Sequence, residues 1–204
     1  MGKKKGNLVV GQSGGPTAVI NNSLVGVIHE AFRYEEIGDI YGMLHGISGV
    51  LNEELIDLRR ESPDTLETLR DTPASALGTV RYKVTDEDYE RLLQVFQAYD
   101  VRYFFYIGGN DSMDTTHKIH TLASQKGYEL HAIGVPKTVD NDLAETDHCP
   151  GFGSAANFVA AAVRNTGFDT EAMGSSGPIK LTEIMGRNAG WLTAAAALAK
   201  DKPE

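Results

Sequence analysis

A cation, a hydroxyl and two carboxylates stand close together in the segment PKTVDND, residues 136–142. Lys137 and Thr138 carry groups that bind phosphate oxygens. Asp140 and Asp142 supply two carboxylates, one suited to a general base and one to a place beside a metal ion. This combination suits phosphoryl transfer. A turn closed by Asp and Asn side chains is the alternative, because these residues often stabilise loops by bonding their own backbone.

The segment follows an apolar run at residues 132–135, which predicts a buried strand. Pro136 has no backbone N–H to donate to a neighbouring strand, so the strand should end there. In an open parallel sheet, ligands bind beyond the carboxyl ends of the strands. The charged segment therefore stands where such a sheet places its ligands.

Two other polar, glycine-containing loops also follow predicted strands. In GQSGGPT, residues 11–17, Gly15 and its neighbour let the backbone approach a ligand, and the next helix offers free N–H groups to an anion. In GGNDSMD, residues 108–114, Asp111 is a candidate magnesium ligand and Ser112 a helix cap or phosphate ligand. A plain turn and a simple helix cap are the alternatives, but three such loops after three strands favour a binding edge.

Two arginines lie in polar loops further along the chain. Arg81 belongs to ALGTVRYK, residues 76–83, and Arg187 to EIMGRNAGW, residues 183–191, where Gly186 bends the chain. The planar guanidinium group matches the oxygens of a phosphate. A solvated loop arginine is the alternative for each.

Strand-like and helix-like segments alternate along the chain, which predicts an α/β protein. We expect a Rossmann-like parallel sheet with helices on both faces and right-handed crossovers. The segment at residues 47–58 is ambiguous. Strands are predicted at residues 7–11, 39–44, 102–107, 129–135 and 179–184, and helices at 19–34, 63–70, 86–99, 113–126, 154–165 and 190–200.

Composition and charge narrow the class of protein. The 204 residues carry a net charge of -9, which argues against general nucleic-acid binding. No apolar stretch is long enough to span a membrane. Cys149 is the single cysteine, which excludes an internal disulfide and fits a reducing compartment. We therefore expect a cytoplasmic protein that acts on neither nucleic acid nor membranes.

Five motifs occur in the order in which the phosphofructokinase family has them: SGGPTAVIN at 13–21, LGTVR at 77–81, GGNDS at 108–112, PKTVDND at 136–142 and MGRNAG at 185–190. From about residue 7 onward, the chain resembles the amino-terminal portion of family members that use pyrophosphate. The resemblance implies a donor-binding domain over residues 1–150 and the start of a fructose 6-phosphate domain over 151–204, so that the second domain is only begun.

The resemblance also implies a glycolytic kinase reaction. A phosphoryl group would pass reversibly from pyrophosphate to the 1-hydroxyl of fructose 6-phosphate, giving fructose 1,6-bisphosphate and phosphate, with Mg²⁺ as cofactor. Family members of this kind lead us to expect a homodimer or homotetramer. An ATP-dependent 6-phosphofructokinase, or a non-catalytic regulatory subunit that binds a sugar phosphate, are the alternatives.

The resemblance assigns a role to each matching position. Asp140 would be the base for the sugar hydroxyl, Lys137 would neutralise charge, and Asp142 would support the metal-bound phosphate. The other expected contacts are Gly15, Arg81, Asp111, Ser112 and Thr138 with the donor, and Thr138, Asp140, Met185, Gly186 and Arg187 with fructose 6-phosphate.

Three positions depart from the pattern of some relatives. Most relatives have Asp where this chain has Asn110, so the metal ion would rest on Asp111 or on the phosphates, with Asn110 as a weaker ligand. ATP-using relatives typically have Gly where this chain has Asp111 and Lys137. A carboxylate and a long cation there would disfavour a nucleotide and favour the smaller pyrophosphate.

Overall fold

The computed structural model describes residues 5–15 and 17–200. The chain divides into two compact units, residues 1–137 and 138–204. The predicted domain boundary at residue 150 lies thirteen residues later than this division, so the segment that carries Thr138 and Asp140 groups with the second unit. The binding roles that we assign to the two domains remain predictions.

The first unit is built on one sheet of five strands in the order β3-β2-β1-β4-β5. Strands β1, β2, β4 and β5 are parallel, and β3 pairs antiparallel with β2 at one edge. The α/β class and the parallel arrangement are thus confirmed, with β3 as an antiparallel addition. The strands are β1 (Gly6–Gln12), β2 (Ile37–Met43), β3 (Leu55–Asp57), β4 (Val101–Gly108) and β5 (His131–Pro136).

Within the described residues five α-helices accompany this sheet, and the ambiguous segment at 47–58 provides the second of them together with β3. They are α1 (Ile20–Ala31), α2 (Ile47–Leu51), α3 (Pro63–Leu69), α4 (Asp86–Ala98) and α5 (Asn110–Gln125). Helix α4 begins with a capping box between Thr85 and Asp88, in agreement with the acidic first turn that marks it in the sequence.

The helices cover both faces of the sheet, as predicted. Successive strand residues point to opposite faces. Val9 accordingly packs into a core with residues of α2, α4 and α5, and Leu8 and Val10 pack with residues of α1 and α3. The buried side chains of the second core are all aliphatic, whereas the first core also contains buried aromatic side chains. These two layers hold the carboxyl ends of the parallel strands in place.

The second unit contains helix α6 (Phe152–Met173) and the short helix α7 (Trp191–Ala195), followed by a 3-10 turn at Ala196–Ala199. The helix predicted at 190–200 is therefore present only in part, and α6 extends further than predicted. The strand predicted at residues 179–184 was wrong, because the segment pairs with no strand in the described part of the chain. Ile179 and Leu181 are 80% and 94% exposed, so the apolar pattern there faces outward.

Candidate active site

The carboxyl ends of three neighbouring strands meet at one edge of the first unit. Gln12 of β1 pairs with Ile107 of β4, and Gly108 of β4 pairs with Pro136 of β5. The loops that follow these strands therefore begin side by side. The structure thus brings together the two glycine-containing loops and Lys137, as the sequence predicts. Pro16 of the first loop lies outside the described residues.

Lys137 holds the first loop against the end of β5. Its side chain is only 3% exposed, and its Nζ donates a hydrogen bond of 2.7 Å to the carbonyl of Gly15. Its backbone N–H donates to the carbonyl of Gly108 at 2.9 Å. Gly14 has φ +75, and a Cβ there would lie 3.1 Å from the Lys137 Nζ. A buried ammonium is costly unless polar groups surround it, so this edge is adapted to hold a cation next to exposed backbone.

Tyr106 lies at the base of the two loops. Its buried hydroxyl accepts a hydrogen bond of 3.3 Å from the backbone N–H of Ile47, and the side chains of Ser13 and Ser112 lie close to it. Burial raises the pKa of the Tyr106 phenol, so it stays protonated at neutral pH. A Cβ at Gly108 would collide with the Ser112 side chain. The side chain of Ser112, a predicted donor ligand, is therefore buried where the two loops meet.

Helix α5 begins at Asn110, three residues before the predicted start. Its N-terminus carries no side-chain cap, because the capping position is Gly109. Asn110 and Asp111 lie exposed in the first turn, and the carbonyl of Asp111 accepts from the hydroxyl of Thr115 at 2.9 Å. The N–H groups of this turn and the positive end of the helix dipole face an incoming anion favourably.

The described acidic side chains fit a metal site that is completed by substrate phosphates and water, and they do not form a site enclosed by protein ligands alone. Within residues 5–15 and 17–200, no group of three or more His, Cys, Asp or Glu side chains is arranged to enclose a metal ion. Mg²⁺ commonly takes one or two carboxylates together with substrate phosphates and water. The exposed carboxylate of Asp111 beside the amide of Asn110 fits that second arrangement.

A pair of buried amides anchors the loop that carries Arg81. The Gln12 Oε1 accepts from the Ser75 hydroxyl at 2.7 Å and from the Leu77 N–H at 2.9 Å, and the Gln12 Nε2 donates to the Asn21 Oδ1 at 2.8 Å. The Asn21 Nδ2 in turn donates to two backbone carbonyls of the loop, each at 2.9 Å. Arg81 itself is exposed. Sequence reasoning missed this pair, although polar residues inside a buried strand and helix are a signal for it.

In the second unit, three predicted residues lie in one short loop. The backbone N–H of Asp140 donates to the Thr138 hydroxyl at 3.2 Å. Asp140 and Asp142 are half-buried, and neither carboxylate makes a hydrogen bond or ion pair within the described part of the chain. Asn141 between them is buried and closes the loop through its amide. The turn predicted as an alternative to a functional segment is therefore present together with two available carboxylates.

Met185, Gly186 and Arg187 lie in an exposed bend before α7. Gly186 has φ +140, and a Cβ there would collide with the carbonyl of Ala189, so the bend requires glycine. Met185 also lines an open, largely apolar cleft of about 510 Å³ between α6 and the segment at 180–185. The structure places these three residues together, and their contact with a sugar phosphate remains a prediction.

Comparison with known proteins identifies the family to which the chain belongs. Residues 7–203 match the family model for phosphofructokinase, and the chain belongs to that family. It is 52% identical, over 98% of its length, to a pyrophosphate–fructose 6-phosphate 1-phosphotransferase of Xanthomonas campestris pv. campestris, of which it covers 49%. It is 48% identical over 96% of its length to the protein of the same name from Methylococcus capsulatus, of which it covers 48%.

Solved structures agree with this result. The crystal structure of a pyrophosphate-dependent phosphofructokinase from Marinobacter aquaeolei superposes with a TM-score of 0.86 and 47% identity, covering 97% of this chain and 50% of that one. An ATP-dependent 6-phosphofructokinase of Amycolatopsis methanolica is only 27% identical. The chain thus spans about half the length of the curated relatives that it matches, and its fold is that of phosphofructokinases. Every helix in the described residues is too short or too polar to cross a bilayer.

Proposed function

We propose that this chain supplies the donor-binding part of a pyrophosphate-dependent 6-phosphofructokinase. The reaction transfers a phosphoryl group from pyrophosphate to the 1-hydroxyl of fructose 6-phosphate and runs in both directions. The observation that carries the proposal is the buried ammonium of Lys137, held 2.7 Å from the Gly15 carbonyl at the ligand-binding edge of the sheet. A fixed cation beside exposed backbone suits a small, highly charged donor that has no nucleoside to bind.

The predicted roles of the side chains follow from this assignment. Asp140 takes the proton from the sugar hydroxyl as it attacks phosphorus, and Lys137 and Arg81 neutralise charge on the phosphate oxygens. Asp142 supports the phosphate that is being transferred, and Thr138 contacts both substrates. Most of the rate gain in such a transfer comes from positioning and charge stabilisation.

Phosphotransferases of this family generally need a divalent metal ion. We assign Mg²⁺ to the exposed turn at the start of α5, where Asp111 supplies a carboxylate and Asn110 an amide oxygen. These two side chains would hold the ion together with substrate phosphates, and the ion would supply positive charge that offsets part of the charge on the donor. We further propose that the enzyme is cytoplasmic and forms a homodimer or homotetramer, and that Met185, Gly186 and Arg187 bind the sugar phosphate.

The identity of the donor can be tested in a chimaeric protein, which we call the joined enzyme. It consists of this chain followed by the second half of the Xanthomonas campestris relative. Formation of fructose 1,6-bisphosphate is followed by coupled oxidation of NADH, with pyrophosphate or ATP at equal concentrations. We expect turnover with pyrophosphate and little with ATP. Preference for ATP would exclude the proposed donor, and turnover with neither would favour the non-catalytic alternative.

A further inference from the structure

Asn141 occupies an unusual backbone position between the two carboxylates of the second unit. Its φ is +54, in the left-handed region that non-glycine residues seldom adopt and that Asn tolerates better than most. Its side chain is directed inward, and only 8% of the residue is exposed. The two flanking aspartates are more exposed. The chain therefore turns at Asn141 so that the amide enters the protein while the carboxylates stay near its surface.

Both ends of the Asn141 amide are used. Its Oδ1 accepts a hydrogen bond of 2.7 Å from the backbone N–H of Cys149, and its Nδ2 donates to the carbonyl of Asp147 at 3.2 Å. These bonds tie Asn141 to backbone groups that lie six and eight residues later in the chain. The bond to Asp147 is only partly buried, but the Cys149 N–H is buried, and removal of the amide would leave that N–H unpaired.

The position of Asp140 is defined from both sides. Before it, the Thr138 hydroxyl accepts from its backbone N–H at 3.2 Å. After it, Asn141 is tied to residues 147–149. A general base must hold its carboxylate within hydrogen-bond reach of the proton that it removes. Displacement of a reacting group by about 1 Å lowers turnover on the order of a hundredfold.

We propose that Asn141 is a positioning residue, whose amide bonds to the Asp147 and Cys149 backbone hold Asp140 and Asp142 in the geometry that catalysis needs. The expected effect on turnover rests on the proposed function. The expected effect on the loop does not, because loss of the amide bonds can be detected from the rate at which the Cys149 thiol is labelled. Cys149 is the single cysteine of the chain, it is fully buried, and its own backbone N–H is the group that donates to Asn141.

Two substitutions at Asn141 in the joined enzyme distinguish the effect of the backbone conformation from that of the side-chain hydrogen bonds, and a third substitution is a control. Asn141→Gly keeps access to the left-handed region and removes both amide bonds. Asn141→Asp keeps the oxygen that accepts from Cys149 and loses the donor to Asp147. Asn165→Ala removes an exposed asparagine of α6 and serves as the matched control.

Steady-state kinetics and thiol labelling are the two measurements. We expect Asn141→Gly to lower kcat on the order of a hundredfold, with KM for both substrates within about threefold of the parent. Labelling of Cys149, followed by mass spectrometry of the tryptic peptide 138–164, should become at least about tenfold faster, since local opening controls access to a buried thiol. Asn141→Asp should lie between Asn141→Gly and the parent, and Asn165→Ala should match the parent in both measurements.

Several results would overturn the inference. A normal kcat in Asn141→Gly would show that the backbone conformation suffices, and an unchanged labelling rate would show that the amide does not hold the loop. A parallel rise in KM and fall in melting temperature would indicate general unfolding instead of misplaced carboxylates. If the joined enzyme has no activity with pyrophosphate, the proposed function fails, whereas the labelling comparison still decides whether Asn141 fixes the loop.

Discussion

Replacement of Lys137 with methionine keeps the length and most of the volume of the side chain and removes its charge. The ammonium donates to the Gly15 carbonyl at 2.7 Å from an almost completely buried position. Loss of a hydrogen bond from a charged group costs about 1.5–3 kcal/mol. Removal of a buried charge relieves a desolvation cost of several kcal/mol, and the Gly15 carbonyl that loses its donor belongs to an exposed residue that water can reach, so the two effects oppose each other. We therefore expect the free energy of unfolding to change by no more than about 1 kcal/mol.

The effect on catalysis should not cancel in this way. A phosphate donor gains nothing from methionine, and removal of one preorganised charge-stabilising group typically lowers kcat by about 10² to 10³. We expect kcat/KM for pyrophosphate in Lys137→Met to fall by at least that factor. Urea unfolding and initial rates of the joined enzyme measure the two quantities in the same preparation.

The matched control is Lys126→Met. Lys126 follows α5, is about half exposed and pairs with Glu90 on the surface. Such an ion pair contributes little, so this variant should retain the parent's stability and turnover. Turnover of Lys137→Met within about threefold of the parent would refute the role of the buried ammonium. So would a loss of activity that disappears after correction for the unfolded fraction.

Three further predictions concern the donor, the base and the separate chain. Asp140→Asn in the joined enzyme should lower kcat by about 10² to 10⁴ with both KM values nearly unchanged; a small effect on kcat in steady-state assays would contradict its assignment as base. Asp111→Gly should admit weak use of ATP, and the gain should stay below about tenfold because water screens the exposed carboxylate. Lys137→Gly should sharply reduce turnover with pyrophosphate. If neither substitution changes the ratio of turnover with pyrophosphate to turnover with ATP, the proposed basis of donor choice is wrong. The 204-residue chain, assayed alone, should show little or no turnover and should associate on size-exclusion chromatography, because α6 buries none of its residues; robust turnover by a monodisperse sample would disprove this.

The sequence predicts the first unit well because local and global signals agree there. Runs of buried apolar residues predict the parallel strands, and glycine and acidic residues mark the loops at their carboxyl ends. Because a parallel sheet places those ends at one edge, the meeting of Gly15, Ser112 and Lys137 could be expected before the structure was known. Their individual functions cannot be obtained in this way, and the burial of the Ser112 side chain beside Tyr106 is visible only in the structure.

The sequence predicts the second unit less well because most of its large apolar side chains are exposed among the described residues. Residues 179–184 have the composition of a strand, but a strand forms only when a neighbour satisfies its backbone groups. Gln12, Asn21 and Asn141 were missed for a different reason. Each bonds backbone groups that lie elsewhere in the chain, and hydrophobic periodicity contains no information about such partners.

The bonds of Gln12 and Asn21 also affect how the polypeptide acquires its structure. Both residues lie at the start of the chain, and their partners lie more than fifty residues later, at Ala74, Ala76 and Leu77. Closing so long a loop is entropically costly, so we expect these contacts to form after the local contacts of β1 and α1. During synthesis the two amides leave the ribosome well before these partners do. The loop that leads to Arg81 is therefore ordered by Gln12 and Asn21, and a substitution at either would disturb a loop that lies far from it in sequence.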